Sequence, residues 1–145
     1  MSEVLFISIK PEFTDKIFKG SKSIELRKST PSIKENTILV IYSTVPVKAV
    51  IGISRVKNII KMPPKLLWEE YSDRLGIDER RFFEYYENSE FAVGLELANT
   101  FKLPNKIPLN LIREFYPSFH PPQTFKYLSK REAFVGFKKA NIAMA

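Results

Sequence analysis

Apolar and polar positions along the chain fall into short blocks whose period changes from one block to the next. Val4 to Ile9 is a continuous apolar run, the pattern of a buried strand. Pro11 then opens a helix where its missing N–H costs nothing, with Glu12 and Asp15 near the positive helix end. Phe13, Ile17 and Phe18 form its apolar stripe, and Gly20 ends it as a left-handed cap. Ser23 to Arg27 alternates with period 2, so a strand with one apolar face follows. The polar turn "PSIKENT" leads to Ile38–Tyr42, a run typical of a strand covered on both sides.

Val47 to Val56 predicts a further strand, with Pro46 at its start and Gly52 marking a bulge. "PPKLLWEEYSDRLG" begins at Pro63 and Pro64 and closes at Gly76, which suits a helix. Ile77 and Asp78 read as a hydrophobic staple and N-cap for a second helix through Glu87. Within it Phe82, Tyr85 and Tyr86 recur at helical spacing as a buried stripe. Glu90 to Phe101 returns to strand with Phe91, Val93, Leu95 and Leu97 on one face. "PLNLIREF" predicts a short helix, "HPPQTFKYL" a loop and strand, and Ser129 a cap for a last turn. Five to six short strands interrupted by helices predict an α+β fold built on a small closed or nearly closed barrel, with the acidic helical hairpin as an insertion. One domain over residues 1–138 and a frayed tail at 139–145 complete the expectation.

Composition adds constraints. The chain has 145 residues, enough for one core without staples, and carries no cysteine, which excludes disulfides, thiolate metal sites and cysteine nucleophiles. Neither a basic-then-apolar leader nor a run of membrane-spanning length occurs, so a cytoplasmic location without membrane contact is expected. Net charge is +7, unevenly spread: Glu69 to Glu90 holds eight acids against three bases, a net of −5, which leaves +12 for the rest. That segregation favours an anionic partner for the body and allows a protein partner for the acidic helices.

Three segments carry candidate chemistry. In "KGSKSIELRK", Ser23, Glu25 and Arg27 share one strand face and Lys22 sits in the turn before it. Spacing alone allows a solvated face of ion pairs. It equally allows Lys22 and Arg27 to hold a phosphate or carbonyl oxygen, with Glu25 accepting from a base or orienting Arg27. In "IYSTVPVKAV", Ser43 and Thr44 end a buried strand beside Tyr42, with Lys48 just beyond Pro46. A Ser-Thr pair there is more often turn chemistry, and the lone His120, followed by two prolines, suits a surface role. In "PPQTFKYL", Gln123, Phe125, Lys126 and Tyr127 mix amide, aromatic and cationic groups, as a single-stranded base platform does. One histidine and scattered carboxylates give no metal pattern, and no glycine-rich phosphate loop occurs, so neither metal nor cofactor is expected.

Taken in order, "SIKPEFTDKIFKGSKSIELRK", "VIYSTVPVKAVIG", "LWEEY" and "PPQTFKYL" resemble the ASCH domain family of the PUA-like superfamily. The resemblance runs from about Val4 to about Phe137. Its most specific element is a G-x-K-x-x-E-x-R signature met by Gly20, Lys22, Glu25 and Arg27. It implies a PUA-like β-barrel whose cleft takes RNA or a nucleotide, with Lys22, Glu25, Arg27, Ser43, Thr44, Gln123 and Tyr127 as binding residues, to which the reading of the residues adds Lys48. Some small relatives are amidohydrolases that deacylate a modified cytidine with a lysine, a threonine and a glutamate. Lys22 fits the lysine and Glu69 or Glu70 stands for the glutamate, but Glu25 occupies the threonine's place and removes the hydroxyl. Other members are proposed as ribonucleases or transcription coregulators. The expectation is therefore an RNA- or nucleotide-binding domain with a regulatory role, and the enzymatic alternatives are a nucleoside deacylase (Lys22, Glu25, Glu69) or a ribonuclease.

Overall fold

The apolar runs form the middle of one six-stranded sheet, in the computed structural model, which describes residues 3–133. The strands are β1 (Glu3–Ile9), β2 (Ile24–Arg27), β3 (Thr37–Ser43), β4 (Ala49–Met62), β5 (Ala92–Pro108) and β6 (Phe125–Ser129), in the order β2-β5-β4-β3-β1-β6. β1 and β3 pair in parallel and all other neighbours are antiparallel. The α+β class is as expected, but the barrel is not closed: among the described residues no ladder joins β2 to β6. β2 has only four residues, and the segment before β6 carries Pro121 and Pro122, which lack the donors a ladder needs. Side chains bridge the seam instead. Arg27 on β2 donates to the Ser8 carbonyl of β1 at 2.8 Å and to the Thr124 carbonyl just before β6 at 3.4 Å.

Helices cover this curved sheet. α1 (Pro11–Lys19) starts on its proline and ends at Gly20, whose φ of 89° allows its N–H to bond back to the Ile17 carbonyl. α2 (Pro64–Tyr71) runs through a 3-10 turn at Ser72–Arg74 to α3 (Glu79–Tyr85), where the Asp78 carboxylate accepts from the Arg81 N–H at 2.8 Å. α4 is Leu109–Phe115. The Ser129 hydroxyl caps the next turn by accepting from the Glu132 N–H at 3.0 Å. These caps stand where the sequence placed them.

Burial sorts into three clusters. Leu5, Ile7, Leu39, Ile41, Val93 and Leu95 line the concave side, sealed at one end by Ile17 of α1. Phe6, Val40, Tyr42 and Val50 face outward under Ile112 of α4. Ile24 and Leu26 face outward under Leu67, Leu75 and Phe82 of the helical hairpin. Each fully buried side chain of that last set contributes about 1.5–3 kcal/mol, so apolar burial, not charge, docks the acidic hairpin. Exposed pairs such as Arg81–Glu12 at 2.7 Å add ~1 kcal/mol at most.

Some expectations change. β4 runs on to Met62 and β5 to Pro108, because bulges near Ile51, Ser54 and Lys57 let the ladder pass positions that break a period-2 pattern. Gly52 sits beside the first of these, and a Cβ there would collide with the Phe18 ring and come within 2.6 Å of the Phe101 carbonyl. Phe82 and Tyr86 are buried as a stripe, but Tyr85 is half-exposed at the end of α3. Phe91 is exposed and precedes β5 rather than sharing its apolar face. The expected domain limit at residue 138 and the tail at 139–145 lie outside the described residues.

Candidate nucleic-acid interface

The charged residues of the signature are buried, although Gly20 and Ser21 in its turn are exposed. All four residues of β2 are buried, because Ile24 and Leu26 lie under the hairpin while Glu25 and Arg27 turn into the concave side. The Glu25 carboxylate accepts from Arg27 Nη2 at 2.7 Å and Nε at 3.1 Å, and its other oxygen lies 3.5 Å from Lys22 Nζ. Lys22 Nζ also donates to the carbonyls of Ile24 at 2.8 Å and Leu75 at 2.6 Å. Burial pulls the Lys22 pKa below the ordinary lysine range, and Glu25 opposes that shift. Two carbonyls and a carboxylate oxygen surround the amine with acceptors. Lys22 thus ties the signature turn to the linker between α2 and α3. Gly76 there, at φ +65°, leaves room for the lysine stem: a Cβ would sit 2.8 Å from Lys22 Cβ.

Arg27 performs the second tie. Its bonds to Ser8 and Thr124 fix the start of β6 against β1, and the Tyr86 hydroxyl donates to the Arg27 carbonyl at 2.9 Å. Burial raises the Tyr86 pKa well above the usual phenol range. Every polar atom of Lys22, Glu25 and Arg27 that is fully shielded from solvent has a partner within the protein. The signature is a clamp at the floor of the seam rather than a set of free ligand groups.

The remaining expected residues divide. Ser43 is fully buried and shares a 3.1 Å hydrogen bond with the Thr14 hydroxyl of α1, so it is sealed beneath that helix. Thr44 begins the turn after β3 with its N–H on the Ile9 carbonyl at 3.0 Å, and Lys48 ends the turn at φ 50°, its side chain exposed. Gln123 is exposed in the bend before β6. Tyr127 is 41% exposed, its hydroxyl accepting from the Ser32 N–H at 2.8 Å. Glu69 and Glu70 lie exposed on α2, and no ion pair or hydrogen bond joins them to Lys22.

Around the Thr44–Lys48 turn the fold assembles a cationic corner. The Leu109 N–H donates to the Lys48 carbonyl at 2.9 Å, which sets α4 beside the turn. One helical turn on, Arg113 donates to the Phe119 carbonyl at 3.0 Å and lies 3.5 Å from His120 Nδ1. Burial raises the Tyr42 phenol and the nearby Arg113 opposes it, which puts that guanidinium within electrostatic reach of the β3 end. Lys126 extends over the Phe119 ring, 4.0 Å from its centroid, and burial lowers its pKa. Arg113 was not legible as a site residue. It reads as the polar face of a short amphipathic helix, and only the Leu109–Lys48 contact brings it to the turn. On the other side of the seam, Tyr85 carries Lys28 at 4.6 Å over its ring, and burial raises its phenol pKa, with Arg27 opposing and Glu25 adding to the shift. Among the described residues, no group of three His, Cys, Asp or Glu side chains is placed to hold a metal ion. No described helix is long and apolar enough to cross a membrane.

Comparison with known proteins places this geometry. Residues 3–113 match the family model described as Domain of unknown function (DUF365). A protein of Zymomonas mobilis subsp. mobilis named ASCH domain-containing ribonuclease is 32% identical over 126 residues, covering 87% of this chain and 84% of that protein. The crystal structure of ASCH from Zymomonas mobilis aligns with a TM-score of 0.84 at 29% identity, over 96% of this chain and 93% of that one. A tyrosine-to-phenylalanine variant of the Zymomonas mobilis protein aligns at 0.86, over 92% and 96%. Large ribosomal subunit protein uL22 of Ureaplasma parvum serovar 3 is 28% identical over 128 residues, which is 88% of this chain. The chain spans 40% of the length of that relative.

Proposed function

This chain belongs to the ASCH domain family, and on that premise we propose that it binds single-stranded RNA at the cationic corner and cleaves it there. The observation that carries the proposal is the ribonuclease name of a relative 32% identical over most of both chains. The match to a segment of a protein named for the large ribosomal subunit fits an RNA ligand as well. Phosphodiester cleavage places extra negative charge on the reacting phosphate. Lys48, Arg113 and Lys126 would stabilise it from three elements, with Gln123 in the bend before β6 for a base edge and Tyr127, on the opposite face of that edge strand from Lys126, for a base face.

In this scheme Lys22, Glu25 and Arg27 position the corner without touching RNA, since Arg27 holds Ser8 and Thr124 on either side of the β1–β6 pairing. The deacylase alternative draws no support from the site, because no hydrogen bond or ion pair joins Glu69 or Glu70 to Lys22 and Glu25 supplies no hydroxyl.

The test is incubation of end-labelled single-stranded RNA with the protein, followed by denaturing electrophoresis. Cleavage is expected, with a loss on the order of 10²-fold in Lys48→Ala or Arg113→Ala. Intact RNA at stoichiometric protein would remove the enzymatic half of the proposal and leave a nucleotide-binding domain. Cleavage indifferent to both substitutions would remove the site.

A further inference from the structure

A depression on the surface lies away from the corner, at the opposite end of β1 and β3. It encloses about 510 Å³ between the 32–37 loop, the start of β1, Arg55 of β4 and Lys130. Three cations line it, Lys34, Arg55 and Lys130, against two carboxylates, Glu3 and Glu35. Ser32, Asn36 and Thr37 add hydroxyl and amide groups, while Ile33 and Ile38 form an apolar wall. Arg55 is held in place by its bond to the Asn36 carbonyl at 2.8 Å. The volume, the cations and the mixed wall suit a nucleotide unit of a polymer.

β6 connects this depression to the seam. Arg27 grips the strand's start at Thr124, Tyr127 stands half-exposed midway with its hydroxyl on the N–H of Ser32, and Lys130 lines the depression at the far end. Ser32 therefore belongs both to the depression and to the Tyr127 contact. Thr124 to Lys130 spans six residue steps, about 20 Å of extended chain. That is the length of about six nucleotides at stacked spacing, and fewer if the strand is drawn out. We infer that the depression is a second subsite for the same RNA strand, taking its sugar–phosphate backbone several nucleotides from the corner, with Tyr127 as a stacking plate between the two. This rests on the proposed RNA function and adds to it a footprint and a direction along β6.

The test is fluorescence anisotropy with labelled four- and ten-nucleotide RNAs, on wild type, on Lys34→Ala/Arg55→Ala/Lys130→Ala, and on Lys34→Ala/Lys130→Ala, which keeps the Arg55–Asn36 bond. Melting curves confirm that each variant is folded, and the double variant carries the test if the triple one is not. The wild type is expected to bind the longer RNA more tightly than the shorter one, and the variants to lose that advantage while binding the four-nucleotide RNA as wild type does. Three phosphate contacts on a single strand steepen the salt dependence by about 2. Raising salt from 50 to 200 mM should therefore cost wild type about 20-fold more affinity for the long RNA than it costs the triple variant. A wild-type length advantage preserved in both variants would overturn the subsite and leave the corner standing. Binding of neither RNA to wild type would overturn the corner and the subsite together.

Discussion

Replacing Glu25 by alanine tests the clamp directly. The substitution removes a carboxylate in contact with two buried cations: Arg27 loses bonds of 2.7 and 3.1 Å, and Lys22 loses an oxygen at 3.5 Å. Lys22 keeps its two carbonyls and Arg27 its bonds to Ser8 and Thr124, but neither gains a counter-charge. Breaking a buried pair from one side costs about 3–5 kcal/mol, because uncompensated charge stays behind. In a domain near this size each kcal/mol shifts the melting temperature by about 2–4 °C, so a fall of about 6–20 °C is expected. Glu12→Ala, which breaks only the exposed contacts to Arg81 and Lys16, should cost ~1 kcal/mol or less. Thermal unfolding by circular dichroism reads both, and RNA cleavage below the lower transition reads the site. A clamp predicts a destabilised protein whose folded fraction still cleaves within a few-fold of wild type. Near-wild-type melting with cleavage abolished would show that Glu25 faces the ligand, and would refute the assignment.

Gly52→Ala should destabilise by about 1–3 kcal/mol, since the new methyl group meets both the Phe18 ring and the Phe101 backbone. Urea unfolding reads it, and Phe18→Leu in the same chain should recover part of the loss. Tyr86 predicts alkaline sensitivity. Its pKa is raised on folding, so the folded state holds a proton that the unfolded chain gives up near pH 10; that stability is complete below this value and is lost as pH rises above it. The melting temperature of wild type should fall more between pH 9 and 11 than that of Tyr86→Phe, and equal slopes would contradict the cause given.

Much of the framework is readable from the chain because local rules settle it. Pro11, Gly20, Asp78 and Ser129 each mark a helix end for a reason confined to a few residues, and each does so in the structure. The strand ends of β4 and β5 are not readable in this way. Asn58 and Lys57 interrupt the alternation, and only the partner strand shows that bulges absorb them. The signature strand is the sharpest case. Alternation identifies two faces at Ser23–Arg27, but it cannot report that both are covered, one by the hairpin and one by the curl of the sheet. Glu25 and Arg27 are therefore visible as charged residues and invisible as a buried clamp. Ser43 behaves similarly: its hydroxyl stands at a polar strand end in sequence, yet α1 folds over it and supplies Thr14 as its partner. Tyr85 fails in the opposite direction, since α3 ends there and the ring escapes the stripe that its spacing assigns.

The division between an internal clamp and an external RNA surface is measured most directly by amide chemical-shift changes on titration with a short single-stranded RNA. The largest shifts are expected at Thr44–Lys48, at Arg113, along Gln123–Tyr127 and, with longer RNA, in the 32–37 loop, while Lys22 and the Leu75–Gly76 linker stay in place. Shifts concentrated at Lys22, Leu75 and Gly76, with the Lys48 turn and Arg113 unmoved, would contradict it.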